Sequence, residues 1–183
     1  MTPKDLEFES VVDRFYADVY RFALSLVKGS SDASDLTQET FLKFGQKRGQ
    51  IRDLTKVKSW LMTTVFREFN ARRRHEVRFP EETLDDSEME LPAVDPRATE
   101  SMDGRTVIEL LARLDEAFRA PLALFYLEDF SYQEIADILE VPVGTVMSRL
   151  SRGKAQLKAL LCDAPQRVPQ HPVRLLRFPS APT

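Results

Sequence analysis

Ser131-Tyr132-Gln133-Glu134-Ile135-Ala136-Asp137-Ile138-Leu139-Glu140-Val141-Pro142-Val143-Gly144-Thr145-Val146-Met147-Ser148-Arg149-Leu150-Ser151-Arg152-Gly153 contains two helix starts separated by one short turn. Ser131 followed three residues later by Glu134 is a capping box, in which each residue satisfies a free backbone N–H of the other. Tyr132, Ile135, Ala136 and Leu139 then share one apolar face. After Glu140-Val141, Pro142 suits the start of a second helix, where its missing N–H costs nothing. There Val146, Leu150, Gly153, Leu157 and Leu160 or Leu161 recur at steps of three and four. The opposite face displays Gly144, Ser148, Ser151, Arg152 and Ala155, flanked by Thr145 and Arg149. Small side chains let a backbone approach closely, and a few polar ones reach base edges or phosphates, as a helix entering the major groove requires. A helical hairpin with a solvated basic face fits the same pattern.

Upstream the pattern is also helical. Phe8, Val12, Phe15, Val19, Phe22 and Leu26 form one apolar stripe, and Lys28-Gly29 stops it. Ser31-Asp32 is expected to cap a second helix from about Ala33 to Lys47. Its Ala33, Leu36, Thr40 and Phe44 point inward, with Phe41 at the edge. Its outer face carries Asp35, Gln38, Glu39, Leu42 and Gln46, where one leucine among acids and amides suits docking. A plain surface helix with one exposed leucine fits equally well. A third helix from about Val57 presents Ser59, Thr63, Phe66, Asn70, Arg73 and Arg74 outward, with Arg67 beside them. Cations that follow a backbone, mixed with an aromatic that stacks a base, suit single-stranded nucleic acid. Alternatively Phe66 packs on another helix. Helical periodicity resumes at Val107, Ile108, Leu111, Leu114 and Phe118, and Pro121 is expected to open a helix running to Glu128.

The net charge of −3 over 183 residues conceals a strong asymmetry. Residues 1–79 carry +4, residues 80–104 carry −8, residues 105–162 carry −1 and residues 163–183 carry +2. The acidic stretch holds three prolines and no apolar period, so it reads as a flexible linker. The tail after residue 162 is Pro-rich and expected to be disordered, apart from an apolar-basic island at Val173–Phe178. One cysteine, Cys162, excludes an internal disulfide framework. Only His75 and His171 accompany it, so a zinc site or a histidine triad has little to draw on, and Asp32, Asp35 and Glu39 lack the partners of a carboxylate metal site. No apolar run approaches the roughly 20 residues of a membrane span, and no signal-peptide order opens the chain. The expectation is an all-α cytoplasmic protein without cofactor, metal or membrane insertion, built as two small helical domains on an acidic tether.

Three stretches together resemble one family. Asp32-Ala33-Ser34-Asp35-Leu36-Thr37-Gln38-Glu39-Thr40-Phe41-Leu42-Lys43 is similar to the polymerase-binding helix of bacterial sigma factors. Ser59-Trp60-Leu61, running into Arg72-Arg73-Arg74, resembles their promoter-melting helix, and 130–153 resembles their helix-turn-helix. Their order and the linker without an extra domain resemble the extracytoplasmic-function group of the sigma-70 family. The resemblance implies that residues 1–79 bind core RNA polymerase through Asp35, Gln38, Glu39 and Leu42. It implies that the same residues open the −10 element through Gln50, Arg52, Asp53, Phe66, Arg67, Asn70, Arg73 and Arg74. Residues 105–162 would read the −35 element through Thr145, Met147, Ser148, Arg149, Ser151, Arg152 and Lys154. An anti-sigma factor is the implied regulatory partner, and catalysis would belong to the polymerase alone. Arg67, Ala71 and Met147 depart from the residues common in that family (Asn, Asp, and Arg or Lys), which bears on promoter sequence.

The competing reading is a helix-turn-helix regulator that is not a polymerase subunit. It expects βα alternation in an N-terminal sensor or receiver domain, where residues 1–79 show helical periods only.

Overall fold

A computed structural model describes residues 7–27, 29–51, 53–78 and 108–163. The acidic linker, 80–104, and the Pro-rich tail from residue 164 onward, with its Val173–Phe178 island, lie outside the described residues, as does Arg52. Among the described residues there is no strand. In order come α1 (Phe8–Leu26), α2 (Ser30–Lys47), α3 (Val57–Arg78), a helical stretch at 108–112, α4 (Glu116–Tyr126), α5 (Tyr132–Leu139) and α6 (Val143–Asp163).

The first three helices close on Phe22, Leu36, Phe44, Leu61 and Met62, all fully buried. Burying each such side chain contributes roughly 1.5–3 kcal/mol relative to leaving it in water. Aromatic contacts link the helices: Phe44 meets Trp60 edge-on at 6.0 Å, and Tyr16 stacks on Phe41 at 6.1 Å. Thr37 and Thr40 are buried in α2, but each hydroxyl donates one turn back, to the carbonyls of Ala33 (2.7 Å) and Leu36 (2.8 Å). Neither leaves a polar group unsatisfied.

Two helix starts differ from the sequence expectation. α2 begins at Ser30 behind Gly29, three residues before Ala33, and no side chain caps it, so Ser31 and Asp32 lie within its first turn rather than at its cap. α4 begins at Glu116, and Pro121 sits inside it. Proline there forgoes one intrahelical hydrogen bond, a loss offset by burial of Ala120, Pro121, Leu122, Ala123 and Leu124. The apolar period from Ile108 to Phe118 is interrupted, since 113–115 are not helical.

α4, α5 and α6 close a second core on Leu111, Leu114, Leu122, Leu124, Ile135, Ile138 and Leu150. Gly153 permits the close approach of α6 to α4: a Cβ there would stand 2.7 Å from Leu122 Cδ1 and 3.0 Å from Phe118 Cβ. The capping box forms, with Glu134 N–H donating to Ser131 Oγ and Ser131 N–H to Glu134 Oε2 at 2.8 Å. The two helical groups also touch. α1 packs on α4, and α3 on α5. The C-terminal half of α1 is therefore buried nearly all round, beyond the single stripe its period implies.

Candidate nucleic-acid and protein-docking interfaces

α2 turns Asp35, Gln38 and Leu42 to solvent, and Leu42 is 64% exposed. Glu39 stands apart from them. It is half-buried and accepts from Arg72 Nη2 at 3.0 Å, with Lys43 Nζ 3.3 Å from its other oxygen. Burial pushes its carboxyl up, but the hydrogen bond from Arg72 and the charge and hydrogen bond of Lys43 outweigh that and leave it below the ordinary glutamate range. Glu39 therefore ties α2 to α3 while showing one edge to the outer face of α2.

α3 leaves the core after Phe69, and its last turns carry Arg73, Arg74 and Arg78 into solvent. Asn70, Arg73, Arg74, Val77 and Arg78 line a shallow open hollow there. Phe66 is only partly available, being packed in part against the core. Gln50 and Asp53 are exposed in the turns before α3. Asp53 accepts from the Thr55 hydroxyl at 2.6 Å and the Thr55 N–H at 3.0 Å, which holds its carboxyl below the usual aspartate range. These bonds fix Asp53 against Thr55 just before α3.

On α6, Val146, Leu150, Gly153 and Leu157 face the core, while Gly144, Met147, Ser148, Ser151, Arg152 and Ala155 face solvent. The outward face matches the sequence reading. Thr145 and Arg149 lie half-buried at its edge. Lys154 is differently placed: its ammonium lies over the rings of Phe125 (4.6 Å) and Tyr126 (5.7 Å). That cation–π seat keeps it beside the outward face but not on it. The turn between α5 and α6 depends on Glu140 in the left-handed conformation, with φ 56° and ψ 44°.

Sequence periodicity did not disclose a charge cluster between the two helical groups. Glu128, 4% exposed, accepts from Arg21 Nε at 3.1 Å and Nη2 at 2.9 Å. Lys58 Nζ stands 2.8 Å from Glu128 Oε2 and 3.1 Å from Asp18 Oδ2, and 5.5 Å above the Phe130 ring. Oε2 nevertheless accepts no hydrogen bond of good geometry. Burial dominates, with Asp18 adding to it against the pull of Arg21 and Lys58, and the Glu128 carboxyl is pushed up to about 7. Further out, Arg67 pairs with Glu140, its Nε at 2.8 Å, and Arg73 pairs with Glu116. No sequence period points to Glu128, whose partners Arg21 and Lys58 lie 107 and 70 positions away.

No described helix is long and apolar enough to cross a membrane. The sigma-70 region 2 family matches residues 11–79, and the sigma-70 region 4 family matches residues 105–157. The ECF RNA polymerase sigma factor SigE of Mycolicibacterium smegmatis is 38% identical over 156 residues, which take in 81% of this chain and 59% of that protein. The ECF RNA polymerase sigma factor EcfG of Rhodopseudomonas palustris is 32% identical over 143 residues, covering 76% of this chain and 77% of EcfG. Among solved structures, the sigma factor RpoE of Bartonella quintana, in complex with the anti-sigma factor NepR, aligns with a TM-score of 0.70. It is 27% identical, and the alignment covers 86% of this chain and 98% of RpoE. The chain belongs to the sigma-70 family, in its extracytoplasmic-function group of RNA polymerase sigma factors.

Proposed function

We propose that this sigma factor binds core RNA polymerase through residues 1–79, opens the −10 element with the same part, and reads the −35 element through residues 105–162. The linker, 80–104, would pass through a basic channel of the polymerase, to which its −8 charge is suited. The observation that carries this reading is the outward face of α6. It is lined with glycine, alanine, serine, methionine and arginine, on a helix whose other face is locked into a core. The exposed Leu42, set among Asp35 and Gln38, supports α2 as the polymerase-docking face, with Glu39 at its edge. Asn70, Arg73 and Arg74 around one hollow, with Arg67 and the half-exposed Phe66 one turn before Asn70, support α3 as the single-strand-binding helix. Gln50, Arg52 and Asp53 would meet the −10 bases from the preceding loop. Thr145, Met147, Ser148, Arg149, Ser151, Arg152 and Lys154 would meet the −35 duplex. The chain contributes binding and positioning, and catalysis is the polymerase's. An anti-sigma factor is the proposed regulator, in line with the partner seen on Bartonella quintana RpoE.

The test is co-elution of the purified chain with core polymerase, followed by footprinting of the complex on promoter DNA. Protection at both elements, and permanganate-reactive thymines around −10, are expected. A chain that never joins core polymerase overturns the reading.

A further inference from the structure

Two of the α3 guanidiniums assigned to the opened strand already carry carboxylates from the other helical group. Arg67 holds Glu140, and Arg73 holds Glu116. Behind them Arg21 and Lys58 hold the buried Glu128. Four cations of the first group thus meet three glutamates of the second. One oxygen of Glu140 takes Nε and Nη2 of Arg67, and one oxygen of Glu116 takes Nη1 of Arg73, donors that a phosphate oxygen would otherwise use. Glu140 also keeps a left-handed backbone, φ 56°, that a β-carbon disfavours. Glycine would adopt that turn without strain but would leave Arg67 without this carboxylate.

We propose that the second domain stands in for promoter DNA on the first, with Glu140 and Glu116 occupying Arg67 and Arg73, so that the free chain masks its own −10 strand-binding helix. The inference rests on the assignment of α3 to the opened strand. The outer pairs are exposed and individually weak, which suits a contact that must yield. The Glu128 cluster is buried and fixes the register in which the outer pairs form. Separation of the two domains on the polymerase would release both guanidiniums together. Masking here lies in the start of α4 and the turn after α5, and does not depend on the acidic linker.

The experiment uses the full chain and a fluorescein-labelled 20-nucleotide oligothymidylate as probe, read by anisotropy at low salt. E116Q/E140Q removes the masking carboxylates. D129N/D137N removes the same charge from exposed positions of the second domain that pair with nothing on α3. Each counterion released from a single strand steepens salt dependence by about 0.7, so two freed cations should raise affinity roughly tenfold at low salt. The gain should be absent in D129N/D137N and lost again when R67A/R73A is added to E116Q/E140Q. An E116Q/E140Q chain that binds no tighter than the parent, or no tighter than D129N/D137N, overturns the masking. If R67A/R73A weakens every chain equally, masking fails while α3 remains the strand-binding helix. If R67A/R73A changes nothing in E116Q/E140Q, masking and the assignment of α3 both fail.

Discussion

Arg21 in the first helix donates two hydrogen bonds, at 3.1 and 2.9 Å, to Glu128, 107 positions later in the chain. The pair joins the two helical groups at a point from which water is largely excluded. Lys58 and Asp18 face the same carboxylate from α3 and α1. Replacing one partner would strand a charge in low dielectric, which costs more than the pair contributes.

The pH dependence of the closed form follows from this site. Glu128 is raised from 4.5 to about 7 when buried against Arg21, Lys58 and Asp18. The closed form therefore binds its proton more tightly than the open or unfolded chain does. Its contribution is complete below the unfolded value and is lost as pH rises through about 7. One proton limits the slope to about 1.4 kcal/mol per pH unit. Thermal unfolding and the radius of gyration, followed from pH 5 to 8, should show a tighter chain at the acid end. E128Q should flatten that trend, and an unchanged trend in E128Q would assign it to another group.

Leu42→Arg should leave the fold intact, because the side chain is already 64% exposed. Binding to core polymerase should weaken roughly tenfold or more, about 1.4 kcal/mol, because docking would bury an unpaired charge. Circular dichroism and a core-binding titration separate the two effects, and undiminished binding would remove α2 from the interface.

Two glycines on α6 should separate stability from recognition. Gly153→Val drives branched atoms into Leu122 and Phe118, and should cost about 1–3 kcal/mol in a denaturant titration. Gly144→Ala meets nothing within 4 Å. It should unfold no more easily than the parent, yet bind the −35 duplex less tightly, because a methyl would stand between backbone and DNA.

Arg152 faces outward, while Arg149 is half-buried at the edge of the same face. Arg152→Ala should lose discrimination at one or two −35 positions, by about 1–3 kcal/mol if it reads a base. Arg149→Ala should weaken all sequences about equally, as a phosphate contact does. Selection from a randomised −35 library reads both, and the reverse assignment would require α6 to be rotated on the groove.

Much of this architecture is legible in the sequence, because helix faces announce themselves by period. The Ser131–Glu134 capping box and the two faces of α6 appear as read, since both depend on neighbours within one or two turns. The start of α2 does not, because Ser31 and Asp32 offer caps that the chain bypasses for Gly29. Pro121 misleads for a related reason: its preference for a first turn is local, and burial of α4 overrides it. The cluster around Glu128 was invisible because ion pairs between distant segments have no period at all. Lys154 likewise reads as a free cation until α4 places Phe125 and Tyr126 beneath it.

Transcription from fragmented genomic DNA with core polymerase, with and without this chain, followed by sequencing of transcript 5′ ends, decides whether the chain selects promoters. New start sites should appear only with the chain and share one pair of upstream elements, near −35 and −10. The same set should lose its −35 consensus with Arg152→Ala and vanish with Leu42→Arg. A folded chain that adds no start sites to those of core polymerase alone would not be a promoter-selecting subunit.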